Sequence, residues 1–156
     1  MKEQLISFET AKLAKEKGFD ILCFNYYFED GEFKENILTG QNGYYGDDYE
    51  VEFEEFLENW NDKTLTNKNG GRCFGCSKNK GYLETFSAPT QSLLQKWLRE
   101  KYRIDVFVNP FKDHQADVND EIVYKYCIWN NSIGAEFNQT YEKALEKGLQ
   151  EALKLI

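Results

Sequence analysis

Residues 87–110, SAPTQSLLQKWLREKYRIDVFVNP, contain a helical repeat that changes to a strand repeat with almost no linker. Ser87 is a good N-cap residue, and Pro89 is tolerated in a first helical turn because its missing N–H would have no partner there. From Ile104 the apolar spacing becomes two, and Pro110 closes the predicted strand. The pattern predicts a helix that packs on its own sheet. Its apolar stripe consists of Leu93, Leu94, Trp97, Leu98 and Tyr102.

The N-terminal part of the chain predicts a short helix followed by two strands. Ser7 is a suitable N-cap, and Gly18 at the C′ position predicts a Schellman stop in which Phe19 contacts Ala14. Residues 20–28 predict a strand that is covered on both faces or lies at the centre of the sheet, and residues 32–38 predict a returning strand. Residues 50–62 fit either a strand or a helix, and we prefer a short helix.

The C-terminal part predicts a strand and a long helix. Residues 121–130 alternate clearly, and the connection from residues 104–109 has no room for a crossover helix, so the two strands are expected to pair antiparallel. Gly148 lies on the buried face of the last helix, which predicts close approach of a neighbour there. The apolar face of this helix is Phe137, Tyr141, Ala144, Leu145, Gly148, Leu149, Ala152, Leu153 and Ile156.

These elements predict the fold class. A chain of 156 residues fits one domain. We predict a single α+β domain over residues 1–156, with an antiparallel sheet of about four strands and three main helices packed on it. Residues 61–84 are rich in Asn, Lys and Gly and predict a long excursion, which is uncommon unless functional or disordered.

Charge is divided along the chain. The formal net charge is −8, which argues against general nucleic-acid binding. Residues 30–62 hold eleven acids against one base, giving −10, and residues 63–103 hold nine bases against two acids, giving +7. Two interpretations stay open: the blocks neutralise each other within the fold, or one of them faces a partner.

The cysteines include the clearest candidate for a metal site. Cys73 and Cys76 form a CxxC pair that can direct two thiolates at one Zn²⁺. Structural zinc needs four ligands, and the other plausible donors are Cys23, Cys127 and His114. No second CxxC is present, so we favour two unligated thiols in a loop, with zinc as the alternative. His114 lies among carboxylates, and we interpret its loop as solvated.

Three blocks of the sequence resemble a known family. ISFETAKLAKEKGFD, SAPTQSLLQKWLREKYRIDV and YEKALEKGLQEALKLI are similar to a family of small uncharacterised proteins encoded in bacteriophage genomes and in prophage regions of gut bacteria. The blocks cover about a third of the chain and exclude residues 40–84, where the CxxC pair lies. The resemblance implies a phage or prophage origin and a cytosolic host setting. It supplies no catalytic residues.

The residues and the resemblance together predict a non-enzymatic accessory protein that binds a host or phage protein in the cytoplasm. No run approaches the ~20 apolar residues of a membrane span, and no secretory signal is visible. One alternative is a nucleic-acid binder that uses the basic residues 63–103 with a zinc-ordered CxxC loop. Another is an acidic surface at residues 47–58 that imitates DNA, and the last is an enzyme acting on a small molecule.

Overall fold

A computed structural model describes residues 3–35, 57–62, 64–65, 83–112, 122–129, 131–133 and 137–156. Their contacts divide the chain into two compact units. The first unit, Met1–Phe19 with Pro89–Ile156, contains α1 (Phe8–Glu16), α2 (Gln91–Tyr102), α3 (Tyr141–Lys154), β5 (Val106–Lys112), β6 (Ile122–Ile128) and β7 (Asn131–Ile133). The second unit, Asp20–Ala88, contains β1 (Asn25–Phe28), β2 (Phe33–Glu35), a 3-10 turn (Trp60–Asp62), β3 (Thr64–Leu65) and β4 (Leu83–Ser87).

The class is α+β with antiparallel pairing, as predicted. The described strands form two sheets rather than one: the second unit has the order β2-β1-β4-β3 and the first has β5-β6-β7. The difference arises from β4, because its residues were predicted to belong partly to the excursion at residues 61–84 and partly to the start of a helix. Because β4 pairs with both β1 and β3, it gives the second unit a sheet of its own. The single-domain assignment stays a prediction.

The caps of α1 agree with the sequence predictions, and the N-cap of α2 differs. The Ser7 side chain accepts from the Thr10 N–H, as expected of an N-cap. Gly18 has φ 75°, and the Phe19 N–H donates to the Ala14 carbonyl over 2.9 Å, which is the predicted Schellman bond. The cap of α2 was predicted wrongly, because Thr90 accepts from the Leu93 N–H. Ser87 instead ends β4.

The strand that follows α2 also differs in its limits from the prediction. It begins at Val106 and continues through Pro110 to Lys112. β5 pairs antiparallel with β6, as expected, and the register places Val106 opposite Ile128 and Asn109 opposite Lys125. Proline is tolerated here because β5 has a neighbouring strand on one side alone in the described sheet.

In the first unit, α3 packs on one face of β5 and β6. Gly148 lies at the closest point, where an added Cβ would stand 2.7 Å from Val106 Cγ1 and 2.9 Å from Tyr126 Cβ. The predicted close approach is therefore confirmed. The buried apolar residues of this unit are Ile6, Ala11, Ala14, Phe19, Leu94, Trp97, Leu98, Val106, Cys127, Ile128, Ala144, Leu145, Leu149, Ala152 and Leu153.

The three helices of the first unit begin at one end of it and finish at the other. At the beginning, the Gln91 N–H donates to the Gln4 carbonyl over 2.8 Å, and Gln91 Nε2 donates to the Glu142 carbonyl over 3.1 Å. At the far end, Tyr102 Oη donates to the Lys17 carbonyl over 3.0 Å, and Lys17 Nζ donates to the Ile156 carbonyl. This arrangement brings the N-termini of α2 and α3 together.

The second unit is held by Trp60. Its ring stacks on Tyr26 with centroids 4.0 Å apart, and its Nε1 donates to the Cys23 carbonyl over 2.8 Å. The Thr85 hydroxyl donates to the Trp60 carbonyl over 2.6 Å. These contacts attach the 3-10 turn to one face of the sheet. Among the described helices of the chain, none has the length and apolar character needed to cross a membrane.

Candidate functional site

The residues predicted to bind metal lie largely outside the part of the chain that the structure describes. Cys73, Cys76 and His114 are all in ranges that are not described. Cys23 and Cys127 are described, and both are free and buried. Within the described residues, no three His, Cys, Asp or Glu side chains are grouped so that they could hold a metal ion. The zinc hypothesis therefore stays a prediction about residues 73 and 76.

Cys23 has the properties of a buried, unreactive thiol. It is 4% exposed, and burial raises the pKa of its thiol from 9.0 to about 12. Its Sγ donates to the Ile21 carbonyl over 3.4 Å. The thiolate, which is the form that binds metal or attacks an electrophile, is therefore disfavoured at neutral pH.

This shift in the pKa of Cys23 predicts a loss of stability at high pH. The unfolded thiol ionises above pH 9 and the folded thiol only near pH 12, so its contribution is fully present below pH 9 and declines between these values. The slope is about 1.4 kcal/mol per pH unit. We expect the advantage of the wild type over Cys23→Ala in unfolding free energy to shrink by about 2 kcal/mol from pH 8 to 10.5, measured by urea unfolding with reductant present. Parallel pH profiles for the two proteins would contradict this assignment.

A cleft of about 490 Å³ lies in the first unit, where α2 and α3 begin. Several of its polar groups already have partners: Ser92 Oγ donates to Glu3 Oε1 over 2.8 Å, and the Thr140 side chain accepts from the Lys143 N–H. The lining residues include no histidine or cysteine, and the hydroxyl of Ser92 is bonded to the carboxylate of Glu3. The cleft is lined by Glu3, Gln4, Gln91, Ser92, Gln95, Thr140, Tyr141, Glu142, Lys143 and Leu145.

Beneath this cleft, Glu146 joins the three helices. Its Oε1 accepts from the Ser7 N–H over 2.7 Å and from Thr10 Oγ1, and its Oε2 accepts from Gln91 Nε2 over 2.9 Å. Gln150 Nε2 donates to Thr10 Oγ1 over 2.9 Å, which extends the network. Three donors from two other segments therefore converge on one carboxylate. The network ties the beginnings of α1 and α2 to the middle of α3.

The face of β5 and β6 that points away from α3 is different in kind, because it exposes large aromatic rings. Val106 and Tyr126 meet α3 at Gly148, so their strand neighbours Phe107 and Lys125 point the opposite way. We define the aromatic face as Phe107, Phe111, Lys125, Trp129 and Phe137. The exposed fractions of the four rings are 38% for Phe107, 41% for Phe111, 62% for Trp129 and 57% for Phe137.

Backbone pairing places these side chains on one face of three neighbouring segments. Phe107 lies opposite Cys127 and Phe111 lies opposite Val123. Asn138 bridges to Tyr124, with the Tyr124 N–H donating to the Asn138 carbonyl over 2.8 Å, and this sets Phe137 beside Lys125. At the other end, the Trp129 N–H donates to the Asp105 carbonyl over 2.9 Å, which continues the ladder to Trp129.

Lys125 occupies the middle of the aromatic face. Its Nζ lies 3.9 Å from the ring centroid of Phe137 and 5.5 Å from that of Phe111. The two rings meet edge to face, with centroids 6.4 Å apart and planes at 81°. The ammonium group is thus held between two rings by cation–π contacts, and no described carboxylate forms an ion pair with it.

The sequence pattern does not predict this surface. Its spacing predicts that Phe137 lies on the buried face of the last helix, whereas α3 begins at Tyr141 and Phe137 is 57% exposed. It also contains two alternating apolar rows in β6 without a signal for which row meets α3. A lysine in the middle of one row, at Lys125, was the available indication of the outward face.

A scan against protein-family models, a search of curated proteins and a search of solved structures each found no match to this chain.

Proposed function

We propose that this protein is non-enzymatic and binds a partner protein on the aromatic face. The observation that carries the proposal is the group of four exposed aromatic rings that share one face of the sheet with Lys125. Aromatic side chains are enriched at protein interfaces and contribute most of the binding energy in many of them. Exposed apolar patches of this kind mark interaction sites in soluble proteins.

The setting of this interaction is also a proposal. The three blocks of sequence that resemble phage and prophage proteins support an accessory protein of phage origin that acts on a host or phage protein in the host cytosol. The blocks include α2 and α3 but none of the four rings of the aromatic face. The resemblance therefore supports the setting of the interaction and not the choice of binding surface.

The nucleic-acid alternative has weaker support. Three of the four described cations of the basic segment have contacts within the first unit: Arg99 pairs with Asp105 at 2.8 Å, Lys96 lies 3.9 Å from Glu100, and Lys101 lies over Trp97 at 5.2 Å. The fourth, Arg103, is exposed. A protein that binds nucleic acid needs several cations free to meet phosphates. The acidic DNA-mimic alternative concerns residues 47–58, of which the structure describes 57 and 58 alone.

The proposal predicts that partner capture depends on two exposed rings. We expect the double variant Trp129→Ala, Phe137→Ala to retain less than about a tenth of the partner that wild type captures from host lysate, because central aromatic residues typically contribute 2 kcal/mol or more. The measurement is quantitative mass spectrometry of captured proteins. Circular dichroism establishes that the variant is folded.

A matched control is Phe33→Ala, which removes a ring of similar exposure, 40%, from β2 in the second unit. Capture should be unchanged in this variant. Equal capture by the wild type and the Trp129→Ala, Phe137→Ala double variant would refute the aromatic face as the binding surface.

A further inference from the structure

We propose that the aromatic face binds a short extended segment of the partner in which one carboxylate side chain is flanked by apolar side chains. This inference rests on the proposed function and adds the chemistry of the ligand. It follows from the charge of the aromatic face, from the dimensions of the sheet that carries this face, and from the edge strand of that sheet.

The charge of the face determines the central group of the ligand. Lys125 is the charged residue of the aromatic face, and its ammonium contacts rings at 3.9 and 5.5 Å. Among the described residues, no carboxylate lies within ion-pair distance of it. A carboxylate from a partner would meet a cation that is already positioned and partly shielded from water, which strengthens their attraction.

The spacing of the rings determines the flanking groups. Phe107 and Phe111 are opposite Cys127 and Val123, which lie two residues to either side of Lys125 on β6. Two residues of strand span about 6.6 Å. In an extended ligand, the side chains two positions before and after the carboxylate are separated from it by the same distance. Apolar side chains at those positions would therefore meet the rings.

The size of the sheet favours a short segment over a globular surface. β5 has seven residues, which corresponds to a length of about 23 Å. Three strands with a spacing of about 4.8 Å cover a width of 10 to 15 Å, so the face is on the order of 300 Å². A stable complex between globular proteins or two copies of this chain buries about 800 Å² on each partner.

The free edge of β5 is protected, so the ligand is expected on the face and not as an added strand. The Asp105 carbonyl points to β6, and the next carbonyl, that of Val106, therefore points outward, where Gln95 Nε2 donates to it. By the same alternation the backbone of Pro110 faces the free edge, and proline has no N–H that could bond to an added strand. Both features reduce strand addition at this edge.

Net charge distinguishes a peptide from a nucleic acid. The first unit holds 13 basic and 13 acidic residues and is formally neutral, whereas the second holds 6 and 14 and carries the whole net charge of −8. A neutral unit with one central cation lacks the set of phosphate contacts that single-stranded nucleic acids require. The single carboxylate of the proposed peptide, in contrast, is matched by the single cation of the aromatic face, Lys125.

Three synthetic peptides test the inference. Each is a fluorescein-labelled nonapeptide with phenylalanine two positions to either side of the centre, and the central residue is glutamate, glutamine or lysine. We expect fluorescence anisotropy to show that the glutamate peptide binds about three- to tenfold more tightly than the glutamine peptide, with lysine weakest. The preference should fall as salt is raised from 50 to 500 mM.

Lys125→Met keeps the apolar stem and should abolish the preference for glutamate. Lys12→Met is the matched control, because Lys12 Nζ lies 4.1 Å from the Phe8 ring centroid on α1 and is exposed. This control should keep the preference. Equal affinities for the three peptides, or no binding of the glutamate peptide, would overturn the inference. Tighter binding of labelled oligothymidine that depends on Lys125 would overturn it in favour of a nucleic acid.

Failure of this inference and failure of the proposed function give different results. If capture depends on Trp129 and Phe137 while the peptides show no preference for glutamate, the binding surface stands and the ligand chemistry is wrong. If capture is unaffected by those two rings, the proposed function itself fails.

Discussion

Replacing Gly148 with leucine is expected to lower the melting temperature by at least about 10 °C. An added Cβ would stand 2.7 Å from Val106 Cγ1 and 2.9 Å from Tyr126 Cβ, closer than carbon atoms pack. The Tyr126 Cβ cannot move aside without the strand, because it is attached directly to the backbone of β6. The helix must therefore separate from the sheet, and we expect a cost of about 3 kcal/mol or more.

Gly148→Ala tests the same contact with the smallest possible change. Alanine is favoured over glycine within a helix by about 1 kcal/mol. We expect the clash to exceed this gain, so that alanine also destabilises the protein. Lys147→Leu is the matched control, since Lys147 is exposed on the same helix and its replacement should change stability by less than about 0.5 kcal/mol. A stabilised Gly148→Ala variant would show that α3 can shift at little cost.

The sequence predicted features that depend on neighbouring residues. The Ser7 cap, the Schellman stop at Gly18 and the buried stripe of α3 from Ala144 to Leu153 each depend on a few consecutive positions, and the structure confirms them. The α+β class and the antiparallel pairing of β5 with β6 were also predictable, because strong period-two patterns were joined by a connection too short for a helix.

Features that depend on distant pairing were not predictable. β4 is five residues long and follows a segment rich in Asn, Lys and Gly, so it carried little local signal. Its pairing with β1 divides the strands between two sheets. The register of a strand is specified by the surface that buries it, which a single sequence does not display.

The candidate site was missed for the same reason. Phe137 continues the spacing of α3 in the sequence, but the helix is capped by Thr140. Bridging of Asn138 to Tyr124 then carries Phe137 to the side of the sheet that α3 does not cover. Residues with chemistry in the sequence, Cys73 and Cys76, carried the metal prediction, whereas the surface found in the structure consists of rings that appeared to belong to the core.

Replacing Glu146 with alanine is expected to destabilise the first unit by about 3 kcal/mol. The change removes the acceptor for the Ser7 N–H, Thr10 Oγ1 and Gln91 Nε2 at once. Partly buried donors without partners are costly, at about 1 to 3 kcal/mol for a fully buried one. Because the donors come from α1 and α2, the loss should affect the packing of all three helices. Urea unfolding with an unchanged m-value measures the effect.

Two further variants separate the network from a general effect of removing charge from α3. Glu151→Ala removes a carboxylate that makes an exposed pair with Lys154, at 2.6 Å, and should cost less than about 1 kcal/mol. Glu146→Gln keeps one acceptor for Ser7 and Thr10 but opposes its NH₂ to that of Gln91, so an intermediate loss is expected. If Glu146→Ala were no more destabilising than Glu151→Ala, the convergence of three helices on this carboxylate would contribute little to the fold. We expect Glu146→Ala to be the most destabilising of the three variants and Glu151→Ala the least. This order follows from the number of donors that each variant leaves without an acceptor.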